Sequence, residues 1–141
     1  MKSSPLIPTC MALAVMVLCA GCESAPSREP KTTRTLVLSA ERPAPDVEMA
    51  LVSAIRVVLP GPEAGSPLRW EIVSNNNRVL EQLSPLKLVP AAGGQNAGPS
   101  TEVTFYSLKP GKSVLGFVLV IPTAAEAVPT AKCQLTVRVV E

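Results

Sequence analysis

The stretch Val103–Pro122 constrains this chain most. It reads V-T-F-Y-S-L-K-P-G-K-S-V-L-G-F-V-L-V-I-P. Val103 and Phe105 alternate with Thr104 and Tyr106, the period of a half-buried strand. Pro110-Gly111 punctuates, because Pro fixes φ and Gly accepts φ > 0. A nearly unbroken apolar run follows, from Val114 to Ile121. A run this short, with Gly116 inside it and Pro122 at its end, reads as a buried strand and not as a helix. The two strands, joined by Leu108-Lys109-Pro110-Gly111-Lys112, are expected to pair antiparallel, and their apolar faces need cover.

The chain has 141 residues, which sets one domain as the prior. Its 13 Lys and Arg against 11 Asp and Glu leave it near neutral. Nucleic-acid binding calls for a basic stripe that this balance does not supply. There is no His. That excludes imidazole general-base catalysis, Ser-His and Cys-His nucleophile pairs, and His-ligated zinc. The 15 prolines are spread throughout and break long helices. The aromatics are Trp70, Tyr106, Phe105 and Phe117, among abundant Val, Leu and Thr. This is the composition of a small all-β domain with an aliphatic core.

The N-terminus reads as an address. Lys2 gives a weak positive start, and Cys10 to Ala20 is continuously apolar but too short to span a bilayer. Residues 1–21 therefore read as a signal peptide. Ala20-Gly21-Cys22 resembles a bacterial lipobox, although Cys19 stands where that pattern prefers an aliphatic residue. The resemblance implies that Cys22 is diacylated and becomes the new N-terminus. An ordinary cleaved signal with a chance cysteine is the other reading. Glu23 is not Asp, which by resemblance to proteobacterial sorting directs the lipid-anchored product to the outer membrane, on its periplasmic face. With Cys10 and Cys19 lost and Cys22 acylated, Cys133 stays alone, so no disulfide is expected within the domain. Residues 22–33, from the lipidated end through E-S-A-P-S-R-E-P-K-T-T, hold no apolar side chain larger than Ala beyond Cys22 and read as a disordered tether.

Residues 34–141 form the domain. Strands are expected over Thr35–Ser39, Ala54–Leu59, Leu68–Ser74, Val79–Leu83 and Lys132–Glu141, with Leu86–Val89 as a possible addition. Val47–Val52 reads as an edge strand or a single helical turn, the strand being favoured. Pro60–Pro67, Asn75-Asn76-Asn77, Ala91–Ser100 and Thr123–Thr130 are connections by their breaker residues. The core is expected to hold Ile55, Val57, Trp70, Ile72, Val103, Phe105, Leu115, Phe117, Cys133, Leu135 and Val137. Alternation points Cys133 inward, as a small hydrophobe and not a reactive thiol. The fold class is all-β, an immunoglobulin-like β-sandwich of about seven or eight antiparallel strands.

At this point the order of parts resembles the chagasin-type inhibitors of papain-like cysteine proteases. In that family a β-sandwich carries three loops at one end, and the loops fill the protease cleft as a wedge. The first loop of the family reads like N-P-T-T-G-Y before a Trp, the second is glycine-rich, and a strand led by L-K-P-G ends at R-P-W. Here Leu59-Pro60-Gly61-Pro62-Glu63-Ala64-Gly65 precedes Trp70, with Pro62 and Gly65 matching and Glu63 and Ala64 in place of the two Thr. Gly93-Gly94 matches the glycine loop, and Leu108-Lys109-Pro110-Gly111 matches the strand lead. In the third motif Pro122 matches, while Ile121 replaces Arg and Thr123 replaces Trp. Loop-shaping residues are retained and the contact residues are mostly changed. The resemblance implies an inhibitor with protease-contact loops at Pro62, Glu63, Ala64 and Gly65, at Gly93 and Gly94, and at Ile121, Pro122 and Thr123.

Two functions follow. The first is a cell-envelope lipoprotein that inhibits a papain-type cysteine protease by occlusion, as a monomer, without cofactor or metal. The second is a non-inhibitory immunoglobulin-like module that holds an envelope protein partner with the same loops. An enzyme is not expected. Asp46 and Glu48 share one strand face but read as solvated, the serines have no base near them, and the glycine loop lacks the Lys and helix of a phosphate cradle. The acids are too dispersed for a calcium loop. Lys109, Lys112, Arg69 and Arg138 read as solvated strand edges.

Overall fold

The computed structural model describes residues 29–63, 65–90, 98–123, 125–126 and 128–141. The signal-peptide and lipobox readings, Cys22 included, fall outside them.

Nine strands follow one another among the described residues: β1 (Thr33–Val37), β2 (Asp46–Ala50), β3 (Ala54–Pro60), β4 (Arg69–Ser74), β5 (Leu80–Gln82), β6 (Lys87–Val89), β7 (Ser100–Ser107), β8 (Gly111–Val120) and β9 (Ala131–Val140). They form two sheets. One has the order β1-β3-β7-β5, with β6 on β7 beside β5. The other has the order β2-β9-β8-β4. The all-β sandwich is as expected, and the strand count exceeds expectation by one or two: β2 and the short β6, the two stretches whose reading was open, are both strands. β1 begins at Thr33, one residue inside the stretch read as tether.

Two pairings are parallel, β1 with β3 and β2 with β9. The expectation of a wholly antiparallel sandwich is corrected here. The chain leaves β1, crosses to the opposite sheet through residues 38–45, and runs back down as β2. Pro43 and Pro45 lack N–H groups, which suits a crossing between sheets. Pro45 still offers its carbonyl to the Thr136 N–H at 3.0 Å, which starts the β2–β9 ladder.

A second correction concerns the stretch Val103–Pro122. Its two strands do not pair. β7 bonds β3 on one edge and β5 and β6 on the other, while β8 lies between β9 and β4 in the opposite sheet. The turn at residues 108–110 carries the chain from sheet to sheet. Burial explains the preference. Paired in one sheet, both strands would turn their apolar sides the same way. In opposite sheets those sides face each other across the core, and Phe105 meets Phe117 edge to face at 6.4 Å and 65°.

The core is otherwise as expected. Ile55, Val57, Val103, Phe105, Leu115, Leu135 and Val137 are fully buried, with Phe117, Trp70 and Cys133 close behind. Ile72 is half-buried and packs against this core. The β4–β8 register shifts between Ile72 and Ser74, and Val73 and Ser74 at this bulge are exposed. Each large side chain buried here contributes about 1.5–3 kcal/mol.

The end of the sandwich that carries the β2–β3, β4–β5 and β7–β8 connections is closed by small polar side chains. Ser107 Oγ accepts the Ser53 N–H (3.0 Å) and donates to the Ala50 carbonyl (3.0 Å). This holds the β2–β3 turn, in which Val52 takes φ +61. Ser113 Oγ accepts the Asn76 N–H (2.9 Å) and donates to Asn75 Oδ1 (3.0 Å), fixing the Asn75–Asn77 turn. The start of the described domain and its last strand meet here too. The Lys31 N–H bonds the Val52 carbonyl and the Leu51 N–H bonds the Val140 carbonyl, each at 2.9 Å.

Two outcomes test this packing. Trp70→Ala is expected to cost about 3–5 kcal/mol in urea denaturation, and a cost below about 1 kcal/mol would mean that Trp70 carries no core load. Burial also pushes the Cys133 thiol above its ordinary value near 9.0. The folded chain then keeps this proton at a pH where the unfolded chain has lost it, so this group's contribution to stability falls as pH rises above about 9. Alkylation of Cys133 at pH 8 should be slow in buffer and fast in urea, read by mass spectrometry.

Candidate functional site

Strand register decides where the loops go. Pro60 lies opposite Ser100, and Val89 is opposite Ser100 as well. Arg69 lies opposite Val120, and Leu119 opposite Ala131. The β3–β4 connection (61–68), the β6–β7 connection (90–99) and the β8–β9 connection (121–130) therefore all leave from one pole of the sandwich.

Two contacts fix this pole. The Gly61 N–H donates to the Pro99 carbonyl at 2.7 Å, tying the first loop to the second. A Cβ on residue 61 would lie 2.4 Å from that carbonyl oxygen, so only glycine fits the approach. Trp70 Nε1, on β4, donates to the Pro60 carbonyl at 2.8 Å on β3, which links the two sheets directly under the first loop.

The first loop is held internally. The Ser66 N–H donates to the Glu63 carbonyl at 3.0 Å, closing a turn. Gly65 sits third in that turn at φ +83, a position where a side chain is strained. Ser66 Oγ accepts the Leu68 N–H at 3.2 Å. Arg69 Nη1 donates to the carbonyls of Ser66 (3.0 Å) and Leu68 (2.7 Å), folding the guanidinium back over the loop's exit.

The sequence-predicted contact residues divide. Glu63, Gly65, Ile121, Pro122 and Thr123 are exposed at the pole. Pro62 is buried and packs beside Trp70, so it supports the loop and is not an open contact. Ala64, Gly93 and Gly94 fall outside the described residues. The pole also presents apolar side chains, of which Val128 and Leu88 were not singled out by sequence reasoning while Ile121 was. Val128 is 82% exposed, Leu88 48% and Ile121 40%. The latch between Gly61 and Pro99 was missed as well. Its one local signal was a glycine flanked by two prolines, and nothing in sequence joins it to a residue so far along the chain.

The charged residues read as solvated remain so. Asp46 and Glu48 are exposed on the outer face of the β2-β9-β8-β4 sheet. There, with Lys112, Thr136 and Arg138, they line a shallow depression of about 310 Å³. Glu48 lies opposite Arg138, and Arg138 opposite Lys112. Glu48–Arg138 is a favourable cross-strand pair worth about 0.2–1 kcal/mol, and Lys112 on the other side of Arg138 is a like charge that opposes it. Among the described residues no three His, Cys, Asp or Glu groups come together to hold a metal. No buried side-chain polar atom among them lacks a hydrogen-bond partner. The arrangement at the loop pole is one of shape and apolar surface, suited to contact with a macromolecule.

Gly61→Ala should push the first two loops apart at a stability cost of about 1–3 kcal/mol. Amide hydrogen exchange is the measurement that localises it. Faster exchange at Gly61's neighbours, with the β8–β9 ladder unchanged, is the expected pattern.

No protein-family model matches the chain, and no curated protein sequence matches it. Solved structures do. The cysteine protease inhibitor EhICP2 from Entamoeba histolytica superposes with a TM-score of 0.61 at 17% identity, over 77% of this chain and 96% of that one. Amebosin superposes with a TM-score of 0.51 at 18% identity, over 79% of this chain and 99% of that one. At such identities the likeness is one of fold, and it spans nearly the whole of both neighbours: this chain folds as EhICP2 does.

Proposed function

We propose that this chain is a proteinaceous inhibitor of papain-type cysteine proteases, its three loops entering the active-site cleft as a wedge. The observation that carries this reading is the convergence of the three loops at one pole, latched by the Gly61–Pro99 hydrogen bond. A first loop held by its own hydrogen bonds and tied to Pro99 avoids part of the ordering cost of association. The exposed Ile121 and Val128 supply apolar surface that a protease cleft can desolvate. The neighbour EhICP2 is itself described as a cysteine protease inhibitor. Inhibition on this reading is by occlusion and involves no bond to the protease thiol.

One observation favours the second reading, a module that holds an envelope partner without inhibiting. Glu63 is exposed on the first loop, where the resemblance places a small neutral hydroxyl. In a desolvated cleft that carboxylate would face the catalytic thiolate, a like-charge contact that opposes binding.

On either reading we place the protein in the cell envelope. Residues 1–21 would be removed, Cys22 acylated, and residues 22–33 would connect the lipid to the domain. Labelled palmitate should be incorporated when the full chain is expressed in a bacterium and lost in Cys22→Ser. A chain that matures without label would have an ordinary cleaved signal.

The inhibition test is a titration of papain with the full chain to micromolar concentration. Competitive inhibition in the nanomolar range is expected, and Glu63→Thr should tighten it about tenfold, ~1.4 kcal/mol. No inhibition from a chain shown folded by circular dichroism would remove the first reading and leave the second.

A further inference from the structure

A pocket opens beside the loop pole, on the side of the sandwich where β4 and β6 form the edges of the two sheets. It measures about 160 Å³ and is lined by Pro62, Arg69, Trp70, Leu86, Leu88 and Thr101. Its origin lies in the register. Leu88 is opposite Thr101, whose side chain is buried, so Leu88 points to the same inner side of the sheet. Yet Leu88 is 48% exposed. The opposing sheet does not cover it, and a leucine on a three-residue edge strand is left facing a gap. Pro62 and Trp70 form buried walls and Leu86 a half-buried one. A cavity of about 150 Å³ with such walls holds a benzene-sized group, so this one has room for one large apolar side chain.

Charge at the mouth narrows the occupant. Arg69 is exposed, and its two bonds to the Ser66 and Leu68 carbonyls both use Nη1. They hold the guanidinium at the pocket rim. A guanidinium carries five N–H donors on three nitrogens in a fixed fork that fits a carboxylate.

We propose that this pocket is a binding subsite for a partner protein, taking one leucine- or phenylalanine-sized side chain of that partner while Arg69 binds an adjacent carboxylate. The pocket is continuous with the first loop through Pro62, so a partner seated on the loop pole reaches it without a second interface. The subsite selects an apolar residue next to an acidic one. It rests on the loop pole being a binding surface, and it holds whether the partner is a protease or another envelope protein.

Trp70 lines the pocket and is the sole tryptophan of the chain. Full chain labelled with 5-fluorotryptophan therefore gives one ¹⁹F resonance that reports occupancy without any protease present. The probes are the blocked dipeptides acetyl-Leu-Asp-amide, acetyl-Ala-Asp-amide and acetyl-Leu-Asn-amide. Acetyl-Leu-Asp-amide should shift the resonance saturably at millimolar concentration, and each of the other two should bind about tenfold more weakly. Arg69→Gln should remove the preference for Asp over Asn, and Leu88→Arg should abolish the shift; both residues are exposed, so the fold tolerates the changes. No shift with acetyl-Leu-Asp-amide, or the same shift in both variants, would overturn the proposal. A chain that fails to inhibit papain but shows this selectivity would lose the protease reading and keep the subsite.

Discussion

Phe105 and Phe117 come from strands that follow one another in the chain, yet their rings meet across the core from opposite sheets. Everything else in the molecule accommodates that crossing. Once β7 and β8 are separated, each becomes an inner strand of its own sheet with both edges open to neighbours. β3 and the β5–β6 pair fill the edges of β7, and β9 and β4 fill those of β8. The short turns at the lower pole then have to bridge two sheets, and buried serines supply the hydrogen bonds that tight inter-sheet turns cannot make for themselves.

The same arrangement explains the site. Successive strands run up and down the sandwich, so the β3–β4, β6–β7 and β8–β9 connections, far apart in sequence, leave from one pole. The root of the first loop is then set from below, by Trp70 reaching across to the Pro60 carbonyl, and from the side, by Gly61 against Pro99. Loop geometry in this molecule is thus a property of the core's upper layer. Exposed residues that need no special backbone angle, Glu63 among them, can change with less effect on that geometry than Gly61 or Gly65. That freedom fits a chain in which Pro62 and Gly65 keep the pattern of the chagasin-type loops while Glu63, Ile121 and Thr123 depart from it.

How much of this could be read from the sequence depended on what kind of fact it was. Period-two alternation marks which residues of Lys132–Glu141 and Val103–Phe105 face inward, and those assignments hold. Alternation carries no information about which edge pairs with which. For that reason the linked strands of Val103–Pro122 looked like a hairpin and are not one, and the parallel ladders of β1 and β2 were invisible. The bulge after Ile72 was equally hidden, because it depends on the partner strand as well as on its own residues. At the site, breaker residues located the first and third loops, since Pro and Gly act locally. The Gly61–Pro99 latch and the uncovered face of Leu88 arise from distant chain segments and leave no mark within either one.

The position of the chain ends has a mechanical consequence. The N-terminal side enters at the pole opposite the loops and leads directly into β1, which runs parallel to β3 over five paired positions, Thr33 to Val37. A pull between an N-terminal attachment and a partner held at the loop pole would run along the strand axis. Such a load shears the β1–β3 ladder, and its hydrogen bonds share the force together, where a pull across the sheet would open them one after another. Under such a load the first strand would resist unzipping.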